Sequence, residues 1–334
     1  MAPAFAEIVR AARERTGVPG VAAGLLRNGR VELAADGDAE VDTPFRIASI
    51  TKSFTATLLA ESGLLDDRAR SLLSHTAGWR PESAQPLPEP CAGLWSYSNA
   101  AYRAAAAPLG GQFETAMRER VLQPLGLEAT GFEEPAGAAR GHVQIGVKGH
   151  RVVPVDGYWR ERRPAGGLWS TAGDLLRYGL AHCRDYDELH EPRAEALGAR
   201  YALGWWVRDG VLDHEGSVAG YQSLLMLVPA QELVLAVLTN SWRGSGLIRH
   251  VVEELAILPS ASGATAAVAG HYSLDDLEAT VTDGRVAERE RDPVTGTWVE
   301  RRYPVSDDAV LMSWRTDFPR EGVARIGWVA LPRS

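Results

Sequence analysis

Ser49 and Lys52 are the residues whose types and spacing best suit covalent catalysis. The chain has 35 basic residues, of which only Lys52 and Lys148 are lysines. A lysine can lose its proton among apolar or cationic neighbours, whereas an arginine stays protonated. A neutral Lys52 amine is a base for the Ser49 hydroxyl, so the pair predicts a serine nucleophile. The alternative is a serine helix cap followed by a surface lysine.

A helix that begins near Ser49 would bring this pair together. Apolar residues at helical spacing predict a helix over residues 53–65, with Gly63 as its stop signal. Ser49 then lies at the helix start, and Lys52 lies one turn further along the same face. The helix terminus adds N–H groups and partial positive charge, which favour an alkoxide and lower the pKa of a nearby lysine.

A second candidate segment, with the sequence WSYSN, contains Tyr97 and Asn99. Tyr97 can share or relay a proton, and Asn99 can orient a substrate carbonyl or the Lys52 amine. Serine and asparagine are also common in turns, so a plain turn is the alternative interpretation of this segment.

A third candidate segment, with the sequence DHEGS, ends a predicted strand and contains His214, Gly216 and Ser217. His214 can polarise a substrate or assist proton transfer. Gly216 would let a ligand lie against the strand backbone. The backbone N–H of Ser217, with that of Ser49, would form an oxyanion hole. The alternative is a strand that ends in a glycine-containing turn with an exposed histidine.

The composition restricts the class of protein and its partners. The length of 334 residues predicts one large and one small domain. The net charge of −8 predicts that the protein has no nucleic-acid partner. Cys91 and Cys183 have no CxxC or metal-binding spacing, so neither a disulfide framework nor a zinc site is implied. No metal and no cofactor are predicted. The sequence shows no signal peptide and no membrane span, which predicts a cytoplasmic protein without a membrane partner. The oligomeric state is left open.

Strand signals at both ends of residues 1–258 predict one antiparallel sheet. Two apolar runs flank Asn28-Gly29, which is a strong hairpin signal. Further strands are predicted over residues 201–207, 212–214, 222–228 and 233–238, and further helices over residues 101–108, 113–121, 171–180 and 251–258. The fold class is therefore α+β, with an antiparallel sheet flanked by helices and an all-helical subregion. Residues 259–270 predict a linker, and residues 271–334 a small C-terminal all-β domain.

The three candidate segments follow the order found in serine β-lactamase-like and penicillin-binding-protein-like enzymes. Three more segments resemble the same family, with the sequences LSHTAG, LQPLGL and PAGGLWSTAGDL. The resemblance covers about residues 4–258 and points to class C β-lactamase, DD-peptidase, esterase and D-aminopeptidase relatives. It implies a β-lactamase/DD-peptidase-like sheet with flanking helices.

The resemblance also implies roles for the candidate residues. Ser49 would form an acyl-enzyme, with Lys52 and Tyr97 as the acid/base pair, and which of the two removes the first proton is left open. Asn99 would position the substrate. His214 stands where β-lactamases carry a lysine, a variant more typical of esterase, D-aminopeptidase and acyltransferase-like relatives. At pH 7 a histidine would give a weaker, conditional charge for a substrate carboxylate.

The predicted function is a serine hydrolase that cleaves a small-molecule ester or amide through an acyl-enzyme on Ser49. One alternative is an acyltransferase of specialised metabolism that uses the same acyl-enzyme. An alternative of another class is a catalytically inactive binding module on this fold. A chemically competent residue stands at every candidate catalytic position, which favours an enzyme. The acyl and leaving groups are left open.

Overall fold

The large sheet has eight strands and joins the two ends of the main region. The computed structural model describes residues 3–89, 91–145, 149–153, 159–258, 270–274, 277–282, 285–291, 298–304, 316–320, 323–326 and 329–332. Up to residue 258 the strands are β1 (Gly20–Arg27), β2 (Arg30–Gly37), β3 (Phe45–Arg46), β4 (His142–Ile145), β5 (Gly149–Val152), β6 (Trp169–Ser170), β7 (Ala194–Ala196), β8 (Ala199–Tyr201), β9 (Trp206–Arg208), β10 (Val211–Val218), β11 (Tyr221–Val228) and β12 (Leu233–Thr239). The sheet order is β2-β1-β12-β11-β10-β9-β8-β7. β1 pairs antiparallel with β12, which confirms the predicted pairing of the two ends.

Helices cover both faces of this sheet. They are α1 (Phe5–Thr16), α2 (Thr51–Glu61), α3 (Asp67–Leu73), α4 (Asn99–Ala106), α5 (Phe113–Met117), α6 (Arg163–Gly166), α7 (Ala172–Asp185), α8 (Asp187–His190) and α9 (Gly244–Leu255). Alternate residues of β11 face the two sides. Leu224 and Met226 pack in the apolar cluster with α1 and α9, whereas Leu225 and Leu227 pack with α2 and α7. α4 packs against α2 and α3, which forms the predicted all-helical subregion.

The helix that carries Lys52 differs in its bounds from the prediction. The helix predicted over residues 53–65 spans Thr51–Glu61, and Ser49 lies before it in the 3-10 turn Ala48–Ile50. The other predicted helices are present as α4, α5, α7 and α9, also with shifted ends. Periodicity locates the apolar face of a helix, but caps and packing decide where the helix begins and ends.

Two glycine turns shape the sheet. The predicted hairpin is confirmed, because β1 pairs with β2 across Asn28 and Gly29, whose φ values are 53° and 71°. The strand predicted over residues 201–207 is divided into β8 and β9. Gly204 turns the chain there with a φ of 83°, and a Cβ on it would lie 2.9 Å from Ser53 Cα. The close approach to α2 therefore interrupts a segment whose sequence is typical of a strand.

Two smaller sheets follow in the C-terminal region. One contains β13 (Gly270–Leu274), β14 (Leu277–Thr282), β15 (Arg285–Arg291) and β16 (Trp298–Pro304), and the other contains β17 (Thr316–Arg320), β18 (Val323–Ile326) and β19 (Val329–Pro332). The predicted C-terminal strands are therefore present. The predicted linker lies outside the described residues except for Gly270, so the domain boundary stays a prediction. No helix in the described ranges is long and apolar enough to cross a membrane.

Candidate active site

Ser49 is held on a tight turn between the large sheet and α2. The turn Ala48–Ile50 packs against β10 and β11. Ala48 has a φ of 45°, a left-handed conformation that costs energy for a residue with a Cβ. Both neighbours of Ser49 are buried, whereas Ser49 itself is partly exposed. The fold thus presents one accessible hydroxyl on an otherwise buried turn.

The amine of Lys52 is fully buried and makes three polar contacts. Its Nζ lies 3.1 Å from Ser49 Oγ, 2.7 Å from Asn99 Oδ1 and 2.6 Å from the carbonyl oxygen of Ala165. The amide and carbonyl oxygens only accept, so they take two N–H groups of the amine. A neutral amine has two N–H groups and one lone pair, and the lone pair is then directed at the Ser49 hydroxyl. This geometry suits a neutral lysine that accepts the serine proton.

Burial holds the pKa of Lys52 well below its ordinary value, because the charged form loses its hydration. Two ionic side chains act on this pKa in opposite directions. The Glu82 carboxylate raises it, and the Arg162 guanidinium lowers it. Desolvation is the largest cause, so burial favours the neutral form of Lys52.

Tyr97 lies beside the amine, in the loop before α4. The centroid of its ring is 4.6 Å from Lys52 Nζ and 4.3 Å from the ring centroid of His75. The next residue, Ser98, donates its backbone N–H to His75 Nδ1 at 3.0 Å and caps α4 by accepting from Ala101 N. The structure therefore brings Tyr97 to the lysine, while its part in proton transfer stays a prediction.

Asn99 connects the lysine to an ion pair that no sequence motif indicates. Its Nδ2 donates to Glu82 Oε1 at 2.6 Å, and Glu82 Oε2 accepts from Arg162 Nη2 at 2.5 Å. Glu82 lies in the proline-rich loop and Arg162 in a 3-10 turn before α6, and neither belongs to a recognisable motif. The Ala165 carbonyl was also missed, since any residue type can supply a backbone acceptor.

His214 is buried on β10 and is neutral. Desolvation first, and then repulsion from the Lys52 amine in its charged form, lower the pKa of His214 to about 3. Nδ1–H donates to the Glu215 carbonyl oxygen at 2.6 Å, which leaves Nε2 to accept from the Tyr201 hydroxyl at 3.3 Å. Its ring centroid lies 6.3 Å from that of Tyr97, so the predicted placement near the site is present. Burial keeps the imidazole neutral at pH 7, so the conditional positive charge expected for this histidine is absent at that pH.

Gly216 and Ser217 follow on the same strand. A Cβ on Gly216 would overlap the Ile47 carbonyl oxygen and Ser223 Oγ. The side of Gly216 on which a side chain would stand is thus filled by the chain that leads to the nucleophile turn. Ser217 Oγ accepts from Gln222 Nε2 at 2.8 Å. Substrate contact at Gly216 and the oxyanion role of the Ser217 N–H stay predictions.

Metal ligands and cysteines are sparse in the part of the chain that the structure describes. No group of three or more His, Cys, Asp or Glu side chains there is arranged to hold a metal ion. Cys91 and Cys183 are not joined in a disulfide. Desolvation raises the pKa of the half-buried Cys183 to about 11, so this thiol stays protonated at neutral pH.

Comparison with known proteins places these residues in a family. The model of the β-lactamase family matches residues 5–256. The crystal structure of SurE is similar with a TM-score of 0.70 and 23% identity, covering 99% of this chain and 98% of that chain. A β-lactamase from Sulfitobacter sp. EE-36 is similar with a TM-score of 0.65 and 21% identity, covering 75% and 97%. A D-stereospecific amidohydrolase from Streptomyces sp. gives a TM-score of 0.61 and 20% identity, covering 73% and 96%.

These identities are low, so the structural similarities show the fold. The family match, however, spans well over half of the chain and contains all of the residues that converge on Lys52. The predicted resemblance and fold class are both confirmed. The chain belongs to the β-lactamase family of serine hydrolases.

Proposed function

We propose that this protein is a serine hydrolase that cleaves an ester or amide through an acyl-enzyme on Ser49. The observation that carries the proposal is the 3.1 Å contact between Lys52 Nζ and Ser49 Oγ. Two carbonyl acceptors orient the amine at this contact, and burial lowers its pKa, which favours the form with a free lone pair. A surface lysine after a helix cap, the alternative considered for the sequence, has none of these features.

In the acylation step, Ser49 Oγ attacks the substrate carbonyl carbon while its proton moves to Lys52 Nζ. The carbonyl π electrons move to oxygen, and the backbone N–H groups of Ser49 and Ser217 stabilise this oxyanion. When the tetrahedral intermediate collapses, the bond to the leaving group breaks. The proton held by Lys52 passes to the leaving alcohol or amine, directly or by way of Tyr97.

In the deacylation step, water attacks the ester carbonyl of the acyl-enzyme. Lys52 accepts a proton from the water and returns it to Ser49 Oγ as the acyl–oxygen bond breaks. The same two N–H groups serve the second oxyanion. An alcohol or amine in place of water would give acyl transfer instead of hydrolysis.

The acyl donor that we propose ends in a D-amino acid residue. One similar structure is SurE with D-Leu, and another is a D-stereospecific amidohydrolase from Streptomyces sp.. The neutral state of His214 adds a physical argument, because it supplies no cation for a substrate carboxylate. A D-aminoacyl ester or amide without a free carboxylate therefore suits this site better than an anionic β-lactam.

A covalent label tests the proposal. The purified protein is treated with a fluorophosphonate probe, and its intact mass and proteolytic peptides are measured. We expect one adduct on Ser49 in the native protein and none in Ser49→Ala. Paired D- and L-aminoacyl p-nitroanilides and thioesters then define the acyl preference. Folded native protein that takes no label and turns over no activated ester would support the inactive binding module.

Acyl transfer is decided by the fate of the acyl group. Product ratios are measured with increasing concentrations of a primary amine at constant substrate. Release of free acid that is unaffected by the amine supports hydrolysis. A shift to the amide product at an unchanged rate of acylation supports the acyltransferase alternative.

A further inference from the structure

The two acceptors that orient the Lys52 amine are tied to the same ion pair. One acceptor is Asn99, whose Nδ2 donates to Glu82 Oε1. The other oxygen of Glu82 accepts from Arg162 Nη2. Arg162 lies three residues before Ala165, whose carbonyl oxygen is the second acceptor. The ion pair is therefore connected to both acceptors of the amine, to Asn99 by a hydrogen bond and to Ala165 by a short stretch of chain.

We propose that Glu82 and Arg162 are positioning residues for acylation, an inference that rests on the proposed acyl-enzyme function. Glu82 holds the Asn99 side chain so that the amide oxygen of Asn99 faces Lys52. Arg162 holds Glu82 in place and anchors the short segment that carries the Ala165 carbonyl. Neither residue touches the reacting atoms, and both act through the direction of the lysine lone pair.

The orientation of the Asn99 amide depends on Glu82. An asparagine side chain can present either its oxygen or its NH₂ group to a neighbour. The Glu82 carboxylate only accepts, so it selects the NH₂ group and turns the oxygen to Lys52 Nζ. In the flipped orientation, oxygen would face carboxylate and NH₂ would face amine, and both hydrogen bonds would be lost. Glu82 thus decides which of the two orientations the site adopts.

Other contacts fix Glu82 itself. The Arg162 side chain is 6% exposed, and a buried guanidinium requires a partner. Among the described residues, Glu82 is the carboxylate that pairs with it. Arg103 Nη2 donates to the backbone oxygen of Glu82 at 2.5 Å, and Asn99 N donates to the Pro81 oxygen at 2.7 Å. The loop that carries the carboxylate is therefore attached to the start of α4 at several points.

The same ion pair adjusts the charge state of the base. Glu82 raises and Arg162 lowers the pKa of Lys52, so the two members of the pair act on the base in opposite directions while they keep the geometry. The other titratable groups that face this amine are two tyrosine rings and two imidazoles that burial keeps neutral, namely Tyr97, Tyr102, His75 and His214. Removal of one member of the pair should therefore shift the pKa in a direction that identifies that member.

The scarcity of lysine makes a direct test possible. Protein labelled with [ε-¹³C]lysine has two labelled side chains, and Lys148→Arg leaves Lys52 alone in the NMR spectrum. Its resonance is titrated in the native protein, in Glu82→Gln and in Arg162→Gln. We expect the titration midpoint to fall in Glu82→Gln and to rise in Arg162→Gln. Glu232→Gln, which removes a carboxylate from the exposed pair with Arg184, should leave the midpoint unchanged.

A second variant separates position from charge. Glu82→Asp keeps the carboxylate but withdraws it by one methylene from Asn99. We expect the Lys52 midpoint to stay near the native one, while the acylation rate falls by about ten- to a hundredfold with little change in KM. This pattern differs from that of a merely structural residue, which would reduce the yield of folded protein without a split between kcat and KM.

The outcomes distinguish the inference from the function it rests on. Native protein that takes no label at Ser49 contradicts the proposed function, and the NMR titration still measures the ion pair. If the native protein acylates, either of two results overturns the positioning roles. One is a native acylation rate in Glu82→Asp, and the other is a Lys52 midpoint that moves in the same direction in Glu82→Gln and Arg162→Gln. Circular dichroism checks that each variant is folded. If Glu82→Gln does not fold, Glu82→Asp still tests the inference, because it keeps a carboxylate partner for Arg162.

Discussion

Lys52 Nζ lies 2.6 Å from the carbonyl oxygen of Ala165, closer than the 3.1 Å that separates it from the Ser49 hydroxyl. A main-chain acceptor is present whatever side chain occupies position 165. It takes one N–H of the amine permanently, so the direction of the lone pair depends on the remaining acceptor and on burial. The base is therefore prepared by the fold around it as much as by its own identity.

Replacement of Lys52 by arginine should abolish acylation. Arginine retains the positive charge but cannot accept a proton at accessible pH. We expect the rate of labelling at Ser49 to fall by about 10²- to 10⁴-fold, measured by intact mass spectrometry. Lys52→Met, which is close in length and neutral, should be equally inactive and tests whether charge or basicity matters. Lys148→Arg is the matched control, and native activity in Lys52→Arg would contradict the assignment of the base.

Buried neutral histidines should make the protein sensitive to acid. Burial lowers the pKa of His190 to about 4 and that of His214 to about 3, and it lowers those of His75 and His182 as well. In the unfolded chain these groups titrate near 6.5. Below about pH 6.5 the unfolded chain binds more protons, so the free energy of unfolding falls as the pH drops.

Urea unfolding at about pH 5, 6, 7 and 8 measures this effect. The slope should reach at most about 1.4 kcal/mol per pH unit for each such histidine. His190→Gln, which removes one of these imidazoles, should flatten the dependence. Stability that stays constant between about pH 7 and about pH 5 would be inconsistent with these buried neutral imidazoles.

Gly216→Ala should damage the fold around the nucleophile. A methyl group at this position overlaps the Ile47 carbonyl oxygen, which belongs to the backbone and cannot rotate away. We expect a loss of about 3 kcal/mol or more in the free energy of unfolding, together with loss of Ser49 labelling. Gly246→Ala, in α9, is the control, because its Cβ would meet only Thr16 Cγ2 at 3.8 Å. That variant should gain up to about 1 kcal/mol from helix propensity.

The sequence predicted the residues of the site better than their orientations. Ser49 and Lys52 could be predicted to meet, because a spacing of three residues at a helix start places two side chains on one face. Tyr97 and Asn99 could be associated with them by the order of motifs in a known family. Glu82 could not, because its contact with Asn99 spans 17 residues of loop whose path no periodic pattern records.

The fold also has features that could be predicted from the sequence and features that could not. The pairing of β1 with β12 could be predicted, since apolar runs at both ends of a chain region need one shared sheet. The turn at Gly204 could not, because it depends on the approach of α2, which is a tertiary contact. The neutral state of His214 could not be predicted from its residue type either, since it results from complete burial.

His75 should control the position of Tyr97 and Asn99. Its Nδ1 accepts the backbone N–H of Ser98, the residue between them, in a buried setting. His75→Phe removes this acceptor and leaves a buried N–H unpaired, which costs about 1–3 kcal/mol. We therefore expect lower stability and an acylation rate reduced about tenfold or more, because the loop beside Lys52 is displaced.

His75→Asn is the informative partner of that variant. The Asn Oδ1 can occupy the place of Nδ1 and accept the same N–H, so acylation should recover towards the native rate although the aromatic ring is lost. Stopped-flow measurement of acylation and thermal unfolding of both variants compare the two contributions. If His75→Asn is as slow as His75→Phe, the ring contact with Tyr97 at 4.3 Å, and not the hydrogen bond, holds the loop.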